Sequence, residues 1–402
     1  MSMNFDVLVV GAGIQGAGAA EALAKAGYRV AILEQVGVAA ATSSRSSKLI
    51  HGGLRYLESG QFQLVYECLR ERRWLLDHKP QLVRMVPFYI PVYRHSKRSA
   101  WVLRLGLTLY SLLTGATGAY SRFRTVPQSE WDGLAGLDRE GLVAVFSYYD
   151  AQTDDAALTR NVVDSAVALG ARLICPGSLI GAELSGNGLR VDYFSEGQLN
   201  TLRTRALVNC SGPWVESTNA LCSPEARLPA IELVAGTHIE LPLSLGEQIF
   251  YVEAEDGRAV FVMPWRGGTL VGTTERNYSG DPRDVAPTIE EERYLLSTVQ
   301  RYFPQTRALQ TQDICNSFTG LRVLPKMEKN PFSRPRETLI CSDNEKRPRV
   351  VAVAGGKLTS YRATARKVVK KLRLTLEEDD TGDGGKAAHT SPTGLSEKER
   401  NL

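Results

Sequence analysis

The chain has 402 residues, 43% of them hydrophobic and 23% charged, with a formal net charge of +4. That length fits one large or two interlocked domains rather than a single small core, and the composition is that of an ordinary globular protein. The mild positive charge gives no case for a nucleic-acid partner, although it would help an anionic small molecule approach a basic cleft.

The first 34 residues read as one βαβ unit, with strands over 6–10 and 28–33 and a helix over 14–26. A polar segment, 41–47, follows, and then a helix over 61–78 closed by Pro80. Residues 85–93 look β-like. The apolar region 100–120 contains Arg104, and its uncharged stretches fall short of the ~20 residues a spanning helix needs. The chain is therefore expected not to cross a membrane, and the N-terminus runs into a strand with no secretory leader.

A helix over 154–169 has acids in its first turn, where the helix dipole favours them. Strands lead to Asn209-Cys-Ser-Gly-Pro-Trp214, and 228–280 reads as an antiparallel sheet with turn signals at Asp256-Gly257 and Gly267-Gly268. A helix over 290–303 comes next. A strand over 350–354 runs through Gly355-Gly356 into a helix over 361–372, and the polar tail beyond is expected to be disordered. The six cysteines are scattered with no C-x-x-C pair, which points to buried, reduced thiols in a cytosolic setting. No His/Asp/Glu group has metal-ligand spacing.

Gly11-Ala-Gly13-Ile-Gln-Gly16 lies after a strand and opens a helix, the context a dinucleotide fingerprint requires. Gly11 suits the tight turn, Gly13 lets backbone approach a pyrophosphate, and Gly16 allows close helix–strand packing. Glu34 ends the second strand, where a carboxylate accepts bonds from a ribose hydroxyl. Two more strand-to-small-residue turns, at Cys210-Ser-Gly212 and Gly355-Gly356, can return to the same place from far along the chain. Such a layout suits a long cofactor held by several segments, and so favours FAD over NAD.

The segment Thr42-Ser-Ser-Arg-Ser-Ser-Lys-Leu-Ile-His-Gly-Gly-Leu-Arg-Tyr-Leu57 closely resembles the flavin-linked glycerol-3-phosphate dehydrogenases of the D-amino-acid-oxidase-like superfamily. The resemblance continues through 209–214, Gly236-Thr-His238, 261–265, Gly272-Thr-Thr-Glu275, Thr319-Gly-Leu-Arg322 and 355–362. It implies an α/β plus α+β fold, a Rossmann-like FAD-binding domain interleaved with an antiparallel-sheet substrate domain. The corresponding division places FAD binding at 1–75, 152–218 and 310–372, the substrate domain at 76–151 and 219–309, and the tail at 373–402.

The resemblance also assigns roles. Gly11, Gly13, Gly16 and Glu34 resemble ADP-binding residues, and Ser43, Ser44, Ser47, Lys48 and Leu49 the segment running along FAD. Ser211, Gly212 and Trp214 resemble a further cofactor wall, and Gly356, Lys357, Leu358 and Thr359 the helix start at the flavin's pyrimidine end. His51 matches the residue at the reactive flavin edge. Arg55, Arg322 and Lys357 match the basic residues of the substrate pocket, with Tyr56 and His238 beside them. Relatives commonly continue into a helical domain where this sequence has its tail. Position 275 is Glu where they usually have Asp, and Val follows Arg322 where they usually have Pro.

The implied reaction is oxidation of sn-glycerol 3-phosphate by hydride transfer to flavin N5, with electrons passed to a quinone or another acceptor. A phosphate dianion calls for several cations, and arginine binds it bidentately. His51 is the leading base, since imidazole titrates near neutral pH; a purely structural role for it stays open. Arg94, Lys97, Arg98, Trp101 and Arg104 flank the apolar stretch and suit an interfacial element, so peripheral contact with the inner face of the cell membrane is the further expectation for a cytoplasmic protein. Two rival readings remain, an amine or amino-acid oxidase of the same superfamily and a flavin-binding protein without turnover.

Overall fold

The structure, a computed structural model, describes residues 4–58, 60–114, 120, 122–326 and 338–377. The first sheet has nine strands, and its centre is parallel. Phe5–Val10 lies between Val30–Leu33 and Gln198–Asn209, and Gln198–Asn209 pairs in turn with Val350–Ala354. These strands are apolar on both faces because both are covered. Val7 and Val9 face Leu23 of helix Ile14–Lys25, Val162 of helix Asp155–Ala168 and Val368 of helix Tyr361–Glu377. Leu8 and Val10 face the other way, into a core with Leu189 and Val191. Three antiparallel strands, Ser178–Ser185, Gly188–Ser195 and the first half of Gln198–Asn209, extend this sheet.

The second sheet has ten strands, built on the long pairings of Val83–Tyr93 with Leu142–Thr153 and of Ile231–Leu241 with Asn316–Pro325. Helix Ile289–Tyr302, started by a Thr288/Glu291 capping box, packs Leu295 and Val299 into the core on one face. Helices Phe62–His78 and Ala100–Leu113 supply Val65, Leu69, Leu107 and Tyr110 to the core on the other. The sheet is antiparallel except where Ile249–Glu253 joins Val83–Tyr93 in parallel.

Strands Leu49–Ile50 and Asn316–Pro325 both belong to the second sheet. The division that returns to FAD binding at 310 is a domain assignment that sheet membership does not decide, since residues 319–324 of the second strand line the cavity described below. Ten consecutive pairs with Ile231–Leu241 hold Asn316–Pro325 in the second sheet, and its apolar pattern alone suits either sheet. The last helix continues to Glu377, past the 372 expected from sequence, while the tail expectation for 378–402 lies outside the described residues. Cys68, Cys210 and Cys222 are buried, but Cys175 and Cys315 are exposed, which corrects the expectation of uniformly buried thiols. Among the described residues no helix is long and apolar enough to cross a membrane.

Candidate functional site

The parallel strands end together. Val10, Leu33, Asn209 and Ala354 are followed by Gly11, Glu34, Cys210 and Gly355, and all four of these segments line one cavity of about 720 Å³. Ligands of doubly wound sheets bind outside such carboxyl ends. Gly11 has φ +100°, and a Cβ there would lie 2.6 Å from the Cys210 carbonyl oxygen. A Cβ on Gly16 would lie 1.9 Å from the Gly11 oxygen, so the turn and helix close only with glycine at both positions. The start of helix Ile14–Lys25 opens on the cavity with Gly13 as its N-cap, and the Ile14 N–H donates to Ser43 Oγ at 2.9 Å.

Glu34 accepts from Ala12 N at 2.8 Å and from Val36 N at 2.9 Å, which fixes its carboxylate at the cavity wall. Gln15 also lines the cavity; its Nε2 donates to the Lys357 carbonyl at 3.1 Å, while its buried Oε1 has no partner among the described residues. An open acceptor, a helix N-terminus and a cradle that a Cβ would fill fit a dinucleotide. Ser43, Ser211, Gly212, Trp214 and Gly356 complete that wall.

Two predicted cations reach the same cavity. Arg322 arrives from the second sheet, its Nη1 2.6 Å from Glu275 Oε1 and its Nη2 donating to the Thr274 carbonyl at 3.0 Å. A Cβ on Gly236 would lie 2.3 Å from that Nη2, so glycine there is what leaves room for the guanidinium. Lys357 arrives from the first sheet, its Nζ 3.6 Å from the centre of the Tyr56 ring, within cation–π range, and 3.8 Å from Cys68 Sγ. Burial pushes the Cys68 thiol up, against the opposing pull of Lys357, so it stays protonated. The backbone of Arg55 opens the short helix Arg55–Glu58, and its side chain lies outside the described residues.

His51 is half-buried, next to the segment that ends the cavity wall. Its N–H donates to Thr359 Oγ1 at 3.2 Å, and its ring stands edge-on to Phe261. Several other predicted residues are not among those that line the cavity. His238 is buried, stacked on Phe318, with Nε2 2.9 Å from Ser47 Oγ. Burial first, then Lys48 and Arg322, pushes it down to about 3, so it is neutral at physiological pH. Its ring is thus held within the second sheet, and the place beside the substrate that the resemblance implies for it is a proposal.

The ammonium of Lys48 is buried against Asp155 Oδ1 at 2.7 Å. Leu49 and Leu358 pack into the two cores, and Ser44 Oγ donates to the Ala41 carbonyl. Sequence reading gave no supporting role to Gln15, Asp155, Gly236 or Glu275, although all but Asp155 lie in motifs quoted above. Each meets its partner only through the fold.

Three comparisons bear on this geometry. A model of the family described as FAD dependent oxidoreductase matches residues 6–369. A glycerol-3-phosphate dehydrogenase of Pseudomonas aeruginosa is 39% identical over 375 residues, covering 92% of this chain and 72% of its own length. A D-erythritol 1-phosphate dehydrogenase of Brucella abortus is 34% identical over 394 residues, covering 96% and 76%. The X-ray structure of a Bacillus halodurans glycerol-3-phosphate dehydrogenase complexed with FAD superposes with a TM-score of 0.73 at 25% identity, covering 92% of this chain and 65% of that one.

Proposed function

Since this chain belongs to the FAD dependent oxidoreductase family, we propose that it oxidises sn-glycerol 3-phosphate to dihydroxyacetone phosphate. Its cofactor is FAD, which supplies the hydride acceptor at N5 when bound. The observation that carries the reading is the arrival of Arg322 and Lys357, from different sheets, in the cavity that begins at the nucleotide turn. A lone carboxylate needs only one such cation, so the pair favours a phosphate over the amino acids of the oxidase rival.

Arg322 and Lys357, with Arg55, bind the phosphate, and Tyr56 holds the Lys357 ammonium over its ring. Binding energy from the phosphate, remote from the reacting carbon, orients the carbinol. As the hydride leaves that carbon, the hydroxyl proton passes to a ring nitrogen of His51, and the ketone forms. The buried, neutral His238 holds Ser47 and takes no part in proton transfer. The tetritol-phosphate activity named for the Brucella relative makes other polyol phosphates the second substrate to assay. If His51 is the base, His51→Asn retains FAD but slows anaerobic flavin reduction by glycerol 3-phosphate by roughly 10². An unchanged rate moves the role elsewhere.

The surface of helix Ala100–Leu113 supports peripheral membrane contact, and a docked enzyme would suit a quinone as electron acceptor. Trp101 is 73% exposed and Leu105 and Leu112 are each 66% exposed, while Arg94, Lys97 and Arg104 lie exposed around them. An apolar face rimmed by cations suits an anionic lipid surface. In sedimentation with vesicles containing anionic lipid, the holoprotein is expected to co-pellet, and Leu105→Glu to remain in the supernatant. Equal pelleting of both removes the helix from the contact.

A further inference from the structure

From the buried bonds around Gly52 we infer that Tyr110, on the same helix that presents the exposed apolar face, is a positioning residue for His51. The inference rests on the reading of His51 as the base. Residues 51–54 carry two adjacent glycines, Gly52 and Gly53, and form no regular element. A loop of this kind has many accessible conformations and needs outside restraint to aim a side chain.

The restraint is visible on both sides of His51. The His51 N–H donates to Thr359 Oγ1 at 3.2 Å, which orients the peptide before it. The Gly52 N–H donates to the Tyr110 hydroxyl at 2.9 Å, which orients the peptide after it. Both soft dihedrals of His51 are thereby fixed, and with them the direction of its Cα–Cβ bond.

Tyr110 is itself held. Its hydroxyl donates to Asp150 Oδ2 at 2.7 Å, and the other oxygen of that carboxylate accepts from Arg72 Nη1. All three side chains are buried, with Tyr110 3%, Asp150 1% and Arg72 7% exposed. Arg72 also donates to the Tyr149 carbonyl at 3.2 Å. The hydroxyl hydrogen is committed to the carboxylate, so its oxygen faces Gly52 as an acceptor; Arg72 Nε has no partner among the described residues, but each link from Arg72 through Asp150 and Tyr110 to Gly52 is a made hydrogen bond.

Glycine at 52 belongs to the same device, since a Cβ there would lie 2.5 Å from the Tyr110 oxygen. The fold thus ties a helix of the second sheet, an ion pair beneath it and the loop carrying the proposed base into one rigid unit.

The test is anaerobic stopped-flow reduction of the FAD holoprotein by glycerol 3-phosphate, with Tyr110→Phe made in the native protein and again in His51→Asn. Tyr110→Phe keeps the ring packing and removes only the hydroxyl. The limiting reduction rate is expected to fall roughly 10- to 100-fold in the native background. Half-saturation by substrate should hardly change, because the phosphate contacts are elsewhere. In the His51→Asn background the same substitution should cost nothing further.

Tyr148→Phe, which removes a hydroxyl from the same core without touching the Gly52 bond, should leave the rate unchanged. If Tyr110→Phe fails to retain FAD, Asp150→Asn is read in its place, since it keeps an acceptor for the hydroxyl but weakens its hold; a rate loss that depends on His51 is again expected. An unchanged rate, or equal losses with and without His51, overturns the positioning role. A native protein whose flavin no polyol phosphate reduces instead overturns the substrate reading. The two failures are therefore distinct.

Discussion

Gly13→Val is expected to give a folded, colourless protein that releases no FAD on denaturation, where the native protein is yellow and releases it stoichiometrically. The structure separates cofactor loss from misfolding. A Cβ on Gly13 meets nothing nearer than Ser43 Oγ at 3.1 Å, so the only adjustment it asks of the chain is that this hydroxyl, which accepts from the Ile14 N–H, give by a few tenths of an ångström. What it blocks is the approach of a pyrophosphate to the bare backbone at the helix start. Gly16 is different, because its Cβ would sit 1.9 Å from the Gly11 carbonyl oxygen and the turn cannot close. Gly16→Ala should therefore lower thermal stability of the apoprotein, while Gly13→Val should leave it near the native apoprotein value. Absorbance at the flavin band and the melting curve, read together on both variants, check the distinction. A yellow Gly13→Val protein would remove the helix start from the cofactor site.

The second large effect is expected at Arg322. Charge-assisted hydrogen bonds contribute about 1.5–3 kcal/mol each. Arg322→Ala should therefore lower kcat/KM for glycerol 3-phosphate roughly 10- to 100-fold while hardly changing the low activity on glycerol. The ratio of the two specificity constants isolates the phosphate contact from general damage to the site. Arg322→Lys should recover only part of the loss, since a point charge does not reproduce the planar fork and reaches Glu275 differently.

Glu275→Gln is the informative companion. It keeps a hydrogen-bond acceptor for Nη1 but removes the carboxylate charge that competes with a phosphate for the guanidinium. It should tighten or preserve substrate binding if the carboxylate only orients Arg322. A substrate ratio that Arg322→Ala leaves unchanged means that this arginine does not read the phosphate.

The nucleotide end was legible in the sequence because its determinants are local. Three glycines and Glu34 lie within one βαβ unit, and each has a steric or charge reason that needs no distant partner. The strands and helices were legible where period and length agreed, as in Phe5–Val10 and Ile289–Tyr302. Which sheet Asn316–Pro325 joins was not legible, because a short apolar run does not say with which of two it pairs.

The cation end was legible only through resemblance, and then only as a set of residue types. Arg322 depends on a carboxylate 47 positions away and on the absence of a side chain at Gly236. Lys48 and Arg322 look alike in sequence, but the fold buries one against Asp155 and leaves the other on the cavity wall. The stacking of His238 on Phe318 and its bond to Ser47 could not be read from the sequence either. Tyr110 carried no signal, because it reads as one apolar residue of an amphipathic helix until Gly52 and Asp150 are seen beside it.

The pairing of Phe5–Val10 with Gln198–Asn209, and of that strand with Val350–Ala354, sets a timetable for biosynthesis. The fingerprint turn leaves the ribosome early, yet two of the four segments that wall the cavity follow some two hundred and some three hundred and fifty residues later. Until Gly355 and Gly356 have emerged, a nascent chain has the phosphate-binding turn without the opposite wall. Stable cofactor loading is therefore expected to be post-translational, and an early-arrested chain is expected to expose its first strand without its permanent neighbour Gln198–Asn209. Such long-range pairings also fold slowly. Flavin supply during synthesis thus acts on the completed chain, by trapping the closed form as it appears.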